Sequence, residues 1–476
     1  MRARMIFVFL LLMTSGIAGL YAQETWSLET CINYAQQNNW RIKQAEYAVM
    51  DAQINQKQSK FDRLPSVTGS INAGFQFGRT IDPTSNQFIN QRIGFNSYGI
   101  NGGLTLFNAS RINHTIQQRA LNLQASEQDA RQTMNDLGFE IAAAYLNILL
   151  ADEQLVNAQR RLELSETQLE VVNKQIAAKV IPENNRLDIL AQIARDQQGV
   201  VDAGNALEIN YLNLKQLLNL DPNTTLQIQK PDLSKVETMN PDNFILEEIF
   251  QLALKNQPNI QAAELREQMS GLDIKIAKSA LSPSLRVFGG LSNNYSDQAI
   301  EVVDVINDIS TQTIFLNNAP VEVGFPSQRP VFANKSFGDQ LSENFGQNLG
   351  VNLSIPIYSN SSGRLNVERA RLAQLNTQAG YQQLRQTLKA QIQNAIASAK
   401  AARNTLNAAR LAADAATAAF ENTQKRFDLG AVNSFEYTTA RNTLDQAQIE
   451  VIRARYQFVF NVKTVEFYMG KALTLD

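Results

Sequence analysis

Residues 141–176 read IAAAYLNILLADEQLVNAQRRLELSETQLEVVNKQI, and within them Ile141, Ile148, Leu155, Leu162, Leu169 and Ile176 recur at a strict spacing of seven. A seven-residue apolar repeat makes a helix of 3.6 residues per turn underwind so that its stripe keeps facing a partner, which gives a left-handed coiled coil. Three residues after each stripe position lie Ala144, Ala151, Ala158, Ser165, Val172 and Lys179, so the second seam position is mostly small and lets backbones approach closely. The stripe returns 251 residues further on as Ile392, Ala399, Leu406, Ala413, Phe420 and Phe427, with Ala395, Ala402, Ala409, Ala416 and Thr423 as its small row. Two copies of one coil in register imply a duplicated architecture.

Helical patterning without proline runs over about 111–178 and about 364–429, each about 100 Å of helix at roughly 1.5 Å per residue. Shorter helices return over about 187–218 and 434–468. Ahead of the first coil, Leu28, Ile32, Ala35, Ile42, Ala45, Val49 and Ala52 predict one helix running to about Phe61, stopped by Leu64-Pro65 because the residue before proline is pushed out of the α region. Its counterpart follows Pro258 and stops at Ser282-Pro283, and Pro65 and Pro283 stand 218 residues apart.

After each proline the period becomes two. Val67, Gly69, Ile71, Ala73, Phe75 and Phe77 alternate with polar residues, and a second strand carries Tyr98, Ile100, Gly102, Leu104 and Leu106 on one face. Leu285, Val287, Gly289 and Leu291 mark a third strand, and Leu349, Val351, Leu353, Ile355 and Ile357 a fourth, so each half contributes one hairpin. Such alternation fits a soluble sheet with one wet face and also a transmembrane barrel. Aromatics favour the barrel: Phe75, Phe77, Phe95, Tyr98, Tyr295 and Phe345 flank the loop ends, and Phe107 and Tyr358 mark the helix ends. Four strands cannot close, and an open edge cannot face lipid, so a barrel needs several copies of the chain.

The offset grows from 218 at the prolines to 251 at the coils, so about 33 extra residues lie in the second half, and 297–344 is the place for them. There Ile300, Val303, Ile306, Ile309 and Ile314 predict a short amphipathic helix ahead of a stretch with Pro320, Pro326 and Pro330. A loop of that length is functional or disordered more often than it is filler. The expected domains are a first repeat over 23–220 (hairpin 65–108, coil 111–219), a connector over 221–243 with a short strand at 225–229, and a second repeat over 244–476 (hairpin 283–358, coil 364–470).

Residues 1–22, with Arg2, Arg4 and an apolar run, read as a signal peptide cut after Ala22. No run of about 20 apolar residues follows, so any membrane segment must be β. Basic and acidic residues number 43 and 45 with no long block of either sign, which argues against nucleic acid as a partner. Cys31 is the sole cysteine, on an apolar helical face, and is read as a buried residue with no disulfide. His114 is the sole histidine and supplies no metal site. No phosphate loop or nucleophile motif is present, so neither an enzyme nor a cofactor is expected.

A signal peptide, two repeats of helix, β-hairpin, long helix and returning helix, Pro-Ser-Val at 65–67 and Ile-Pro-Ile-Tyr at 355–358 together resemble the TolC family of outer-membrane efflux proteins. Residues 429–436, LGAVNSFE, are similar to the turn at the periplasmic tip of that family's second coiled-coil pair. The copy at 179–188, KVIPENNRLD, is three residues longer between turn and acid and lacks the glycine, so the two tips are expected to differ in shape.

The resemblance implies a mainly α fold with β-barrel strands, and a homotrimer with a twelve-stranded barrel in outer-membrane lipid above a periplasmic α-helical coiled-coil tunnel. It also implies docking onto a periplasmic adaptor (a membrane fusion protein) that joins the duct to an inner-membrane pump, with passive conduction of drugs or other small molecules. By position, Asp188 and Glu436 match the carboxylates that narrow the tunnel, and rings of like charge in a narrow pore favour cations. Phe427 stands where a tyrosine, and Val432 where an arginine, can hold the family's gate, which points to a more hydrophobic closure. Phe427 either closes the pore by dewetting or is the last knob of the heptad. Lys179, Val180, Ile181 and Pro182, with Leu429, Gly430, Ala431 and Val432, are the expected adaptor contacts. A duct for secreted polypeptides shares the architecture and differs in its pump; the other alternative is a periplasmic coiled-coil scaffold outside any membrane, whose β-hairpins pack on each other.

Overall fold

A computed structural model describes residues 25–81, 86–90, 92–316 and 319–475. The expected signal peptide at 1–22 lies outside the described residues. The chain opens with α1 (Leu28–Asn38) and α2 (Trp40–Phe61), where sequence patterning predicts one helix. Asn39 makes the break. Its backbone is extended at ψ 133°, its Nδ2 donates to the Leu217 carbonyl at 2.8 Å, and its Oδ1 accepts from the Arg41 N–H at 2.8 Å. Asparagine can thus replace lost helix bonds with side-chain ones.

There follow β1 (Ser66–Gln76), β2 (Arg79–Ile81), β3 (Phe88–Asn90), β4 (Ile93–Phe107), α3 (Arg111–Ala177) and α4 (Asn184–Leu218). The connector holds α5 (Ser234–Glu237) and leads to α6 (Leu246–Asn256) and α7 (Pro258–Ser279), which are separated at Gln257, 218 residues after Asn39. The second half ends with β5 (Ser284–Ser296), β6 (Ile300–Leu316), β7 (Ala319–Asn334), α8 (Phe337–Glu343), β8 (Gly346–Ser354), α9 (Ser362–Asp428) and α10 (Ser434–Tyr468). Both long helices, α3 and α9, have 67 residues, and both returning helices, α4 and α10, have 35.

Two compact units emerge, and each draws on both halves of the chain. The helical unit contains the chain up to Gln53, Leu121–Met269 and the chain from Leu375 onward. Its main core is built on the coil: Ile141, Ile148, Ile392, Ala399 and Leu406 are buried, with Ala402 and Ala409 of the small row beside them. Tyr145, also buried, donates its hydroxyl to the carbonyls of Trp26 at 3.1 Å and Gln229 at 2.5 Å. The strand predicted at 225–229 is reduced there to a single bridge between Trp26 and Ile228. Val172, Ile189, Phe420, Phe427, Tyr437 and Leu444 form a second, smaller cluster further along the same helices.

The other unit contains Ile54–Ala120 and Ser270–Gln374. Its sheet has the order β1-β4-β5-β8, antiparallel throughout. Register joins the four apolar rows into one face: Ile71 lies opposite Tyr98, Ile100 opposite Leu291, and Val287 opposite Val351. That face is bare, with Val67, Ile71, Ile100, Leu349 and Val351 all exposed. The fourth strand stops at Ser354 rather than Ile357, ahead of Pro356, whose missing N–H cannot serve a ladder.

Residues 300–314 form a strand, not the expected helix. β6 pairs with β7 in a two-stranded ribbon, with Ile306 opposite Arg329 and Ile314 opposite Val321. The three-residue spacing of its isoleucines mimics a helical face, but a run with Val302, Val303, Val305, Thr311 and Thr313 among them is β-branched and prefers the pleated backbone. Pro320, Pro326 and Pro330 share one parity on β7, so all three lack donors along the same edge, which a ribbon with one partner can leave unpaired. At the ribbon's base Gln340 of α8, only 1 % exposed, accepts from the Ser296 N–H at 3.0 Å and donates to the carbonyls of Ser296 at 2.9 Å and Lys335 at 3.0 Å. Gln340→Ala removes all three bonds, and limited proteolysis is expected to cut within 297–336 several-fold faster while far-UV circular dichroism stays unchanged.

Candidate functional site at the helical tips

Both long helices end in the same way. Past α3, Lys179 takes a left-handed φ of 54°, its N–H bonds the Ile176 carbonyl at 2.9 Å, and the Val180 N–H bonds Gln175 at 2.9 Å. Past α9, Gly430 has φ 73°, its N–H bonds Phe427 at 2.9 Å, and the Ala431 N–H bonds Arg426 at 2.8 Å. This double closure is a Schellman motif, which satisfies the carbonyls a helix end leaves bare. The missing glycine does not make the turns differ, because Lys179 adopts the left-handed backbone in its place. The difference lies at the start of the returning helices. Asn433 caps α10 by accepting from the Glu436 N–H at 2.9 Å, whereas Glu183, ahead of α4, makes no side-chain cap.

The tips are tied to each other. Gln175 Nε2 donates to the Asp428 carbonyl at 3.2 Å, and the Ser434 hydroxyl donates to Asp188 Oδ2 at 2.6 Å. Asp188 and Glu436 are exposed acids, one bonded to the neighbouring tip and the other over its own cap. Phe427 is turned into the seam. It is 3 % exposed, and its ring lies 4.9 Å from that of Tyr437, whose hydroxyl pKa burial pushes up. Val180, Pro182, Leu429, Gly430 and Ala431 are exposed, with Ile181 and Val432 half-buried beside the smaller cluster.

One constellation escaped the sequence reading. Where Ser165 interrupts the small row of the seam, Arg161, Asp196, Arg441 and Asp445 meet between α3, α4 and α10. Asp196, 1 % exposed, accepts from the Ser165 hydroxyl, from Gln192 Nε2 at 3.0 Å and from an Arg441 guanidinium nitrogen at 3.4 Å. Arg441, 2 % exposed, also donates to Ser165 Oγ at 2.7 Å and to the Arg161 carbonyl. Asp445 accepts no hydrogen bond among the described residues. The Nε atoms of Arg161 and Arg441 stand 3.7 and 3.9 Å away from it, and its carboxyl pKa is raised above 3.8, first by burial and then by Asp196, against the pull of the two arginines. The only signal in the sequence is a serine in an alanine row, since the charged members lie up to 284 residues apart, from Arg161 to Asp445.

A sequence model of the family described as "Outer membrane efflux protein" matches residues 31–220 and 249–471, which leaves out only the termini, the connector and the first residues of the second repeat. The chain belongs to the outer membrane efflux protein family. Families of this kind are channel proteins and not enzymes, and their place is the outer membrane. This outer membrane efflux protein is 24% identical over 287 residues to the "Cation efflux system protein CusC" of Escherichia coli K12, a match covering 57% of this chain and 56% of that protein. It is 21% identical over 364 residues to the "Outer membrane protein TolC" of Vibrio cholerae, covering 74% of this chain and 73% of that one. In fold it is similar to a crystal structure of CusC (TM-score 0.74, 17% identity, 95% of this chain and 96% of that chain). It is also similar to the open state of the Neisseria gonorrhoeae MtrE outer membrane channel (TM-score 0.70, 18% identity, 94% and 90%).

The buried cluster gives two opposite expectations. Asp196→Ala strips the partner from Arg441 and Ser165, and chemical denaturation is expected to show a loss of about 3–5 kcal/mol, as for breaking a buried pair. For Asp445 the sign reverses. Its raised pKa means that the folded protein holds a proton the unfolded chain has lost, so its contribution to stability falls as pH rises through that window and is unfavourable at neutral pH. Asp445→Asn is expected to match or exceed the wild-type midpoint at pH 7.5, with the difference fading as pH falls toward 4.

Proposed function

We propose that three copies of this outer membrane efflux protein form the exit duct of a tripartite efflux system. Drugs or other small molecules pass through it passively, from a periplasmic adaptor and an inner-membrane pump to the outside. The observation that carries the reading is the sheet: four antiparallel strands with one bare apolar face and two unpaired edges, β1 and β8. A bare apolar face suits lipid. The edges suit other copies, because every backbone polar group within a bilayer must be satisfied.

The tips supply the rest of the reading. Exposed Val180, Leu429 and Phe435 leave apolar surface that a protein partner would cover, and with Lys179, Ile181, Pro182, Gly430, Ala431 and Val432 they form the proposed adaptor contact. Asp188 and Glu436, each tripled by symmetry, form the proposed constriction. Phe427 backs them as a knob held in the seam. The Asp188–Ser434 and Gln175–Asp428 bonds hold neighbouring tips together and must loosen for the constriction to widen.

Purified protein in planar bilayers is expected to give small, cation-preferring conductances. Combining Asp188→Asn with Glu436→Gln should shift the reversal potential in a salt gradient toward zero. Absence of conductance at every voltage, in both proteins, would overturn the duct.

A further inference from the structure

One charged residue stands in the four strands of the sheet. β1, β4 and β8 contain none, and β5 contains Arg286. Register sets it opposite Thr105 of β4 and Asn352 of β8, on the face turned away from the bare apolar one. Ser66, Thr68, Asn101, Asn348 and Ser354 share that polar face with a row of glycines. In the proposed duct it lines the lumen, where a cation stays in water and needs no partner to be tolerated. Arg286 is exposed, and among the described residues it forms no ion pair or hydrogen bond.

Two glycines shape the surface around it. The Arg286 guanidinium lies over Gly103 of β4, with Nη2 2.6 Å and Nε 2.8 Å from where a Cβ would stand. Phe288, two residues along β5 and on the same face, lays its ring over Gly350 of β8, with Cζ 2.6 Å from the corresponding position. Gly103, Phe288 and Gly350 are register partners, so the cation and the ring lie side by side on one rung, about 10 Å across at two strand spacings. An alanine at either glycine would lift the overlying side chain off the sheet. Phe288 is 40 % exposed on this face, whereas exposed Ile71, Ile100, Leu349 and Val351 belong to the opposite one. An unpaired cation beside an exposed aromatic ring complements a molecule with an anionic group at one end and an apolar body at the other.

We infer that Arg286 and Phe288 form a docking site, one per chain, for organic anions that carry an apolar body. The guanidinium holds a carboxylate, sulfonate or phosphate, and the ring packs against the body. The inference rests on the proposed duct, in which three such sites stand at one level of the lumen, and it adds a class of solute that the duct favours. Twelve strands tilted by about 45° enclose roughly 25 Å between backbones, so one small solute engages one site rather than all three. Arginines in a pore favour anions, and the barrel therefore opposes in sign the acids proposed at the tips.

The test is fluorescence anisotropy of pyrene tetrasulfonate, titrated with the full chain in a non-ionic detergent at low ionic strength, beside planar-bilayer recordings of the same preparations. Four sulfonates keep this aromatic probe out of the micelle. Wild type is expected to bind one probe per chain, with an affinity that falls as salt is raised. Arg286→Gln should weaken binding at least tenfold and Phe288→Ala several-fold, while Arg286→Lys should stay within a few-fold of wild type. Asn352→Asp keeps the arginine but sets a carboxylate on its register partner, and should weaken binding as much as Arg286→Gln does. Conductance in each variant shows that it has assembled. Equal affinity in wild type, Arg286→Gln and Asn352→Asp would overturn the site. So would absence of binding by a wild-type protein that conducts, an outcome that leaves the duct standing. A wild type that binds the probe but conducts at no voltage would remove the duct and the lumenal site together.

Discussion

An antiparallel sheet in lipid cannot leave the N–H and C=O groups of an outer strand bare, and the rest of this protein answers to that constraint. The four strands present one continuous apolar face, so the sheet suits the bilayer, yet β1 and β8 each keep one edge without a partner. On the proposed duct, a single chain carries four strands of a barrel that other copies complete. The proposed trimer accounts for both unpaired edges at once, since each would meet the opposite edge of another copy.

Within the helical unit, different stretches of one seam are packed differently. Around Ile141 and Ile392 the seam is apolar and alanine-rich, and its side chains are buried in one continuous core. Nearer the tips, the row is interrupted at Ser165 by four charged groups in which Asp196 is fully engaged and Asp445 is not. The cost of taking such charges out of water offsets much of what their pairing contributes, so the cluster adds little net stability even though losing one partner is costly. Beyond it the smaller apolar cluster around Phe427 and Tyr437 packs the tips, and hydrogen bonds such as Ser434 to Asp188 tie one tip to the other.

The long coils and the hairpins are legible in the sequence because each rests on a sustained period, seven in the helices and two in the strands. The departures come where a local pattern is ambiguous or a side chain does a backbone's work. Asn39 splits a helix without proline by bonding Leu217 and Arg41. Isoleucines three apart in β6 resemble a helical face, and only their β-branched neighbours and the partner strand decide otherwise. Lys179 accepts a left-handed backbone where glycine is the expected residue, so the turns match despite unlike sequences. The Arg441 and Asp196 pairing is tertiary, assembled across 245 residues, and no periodicity reports it.

The most direct measurement of the central claim is the mass of the detergent-solubilised protein by native mass spectrometry. Closure of β1 against a neighbour's β8 predicts a discrete species of three chains that persists after the micelle is stripped away. A monomer, or a protein that stays soluble as a single chain without detergent, would contradict it.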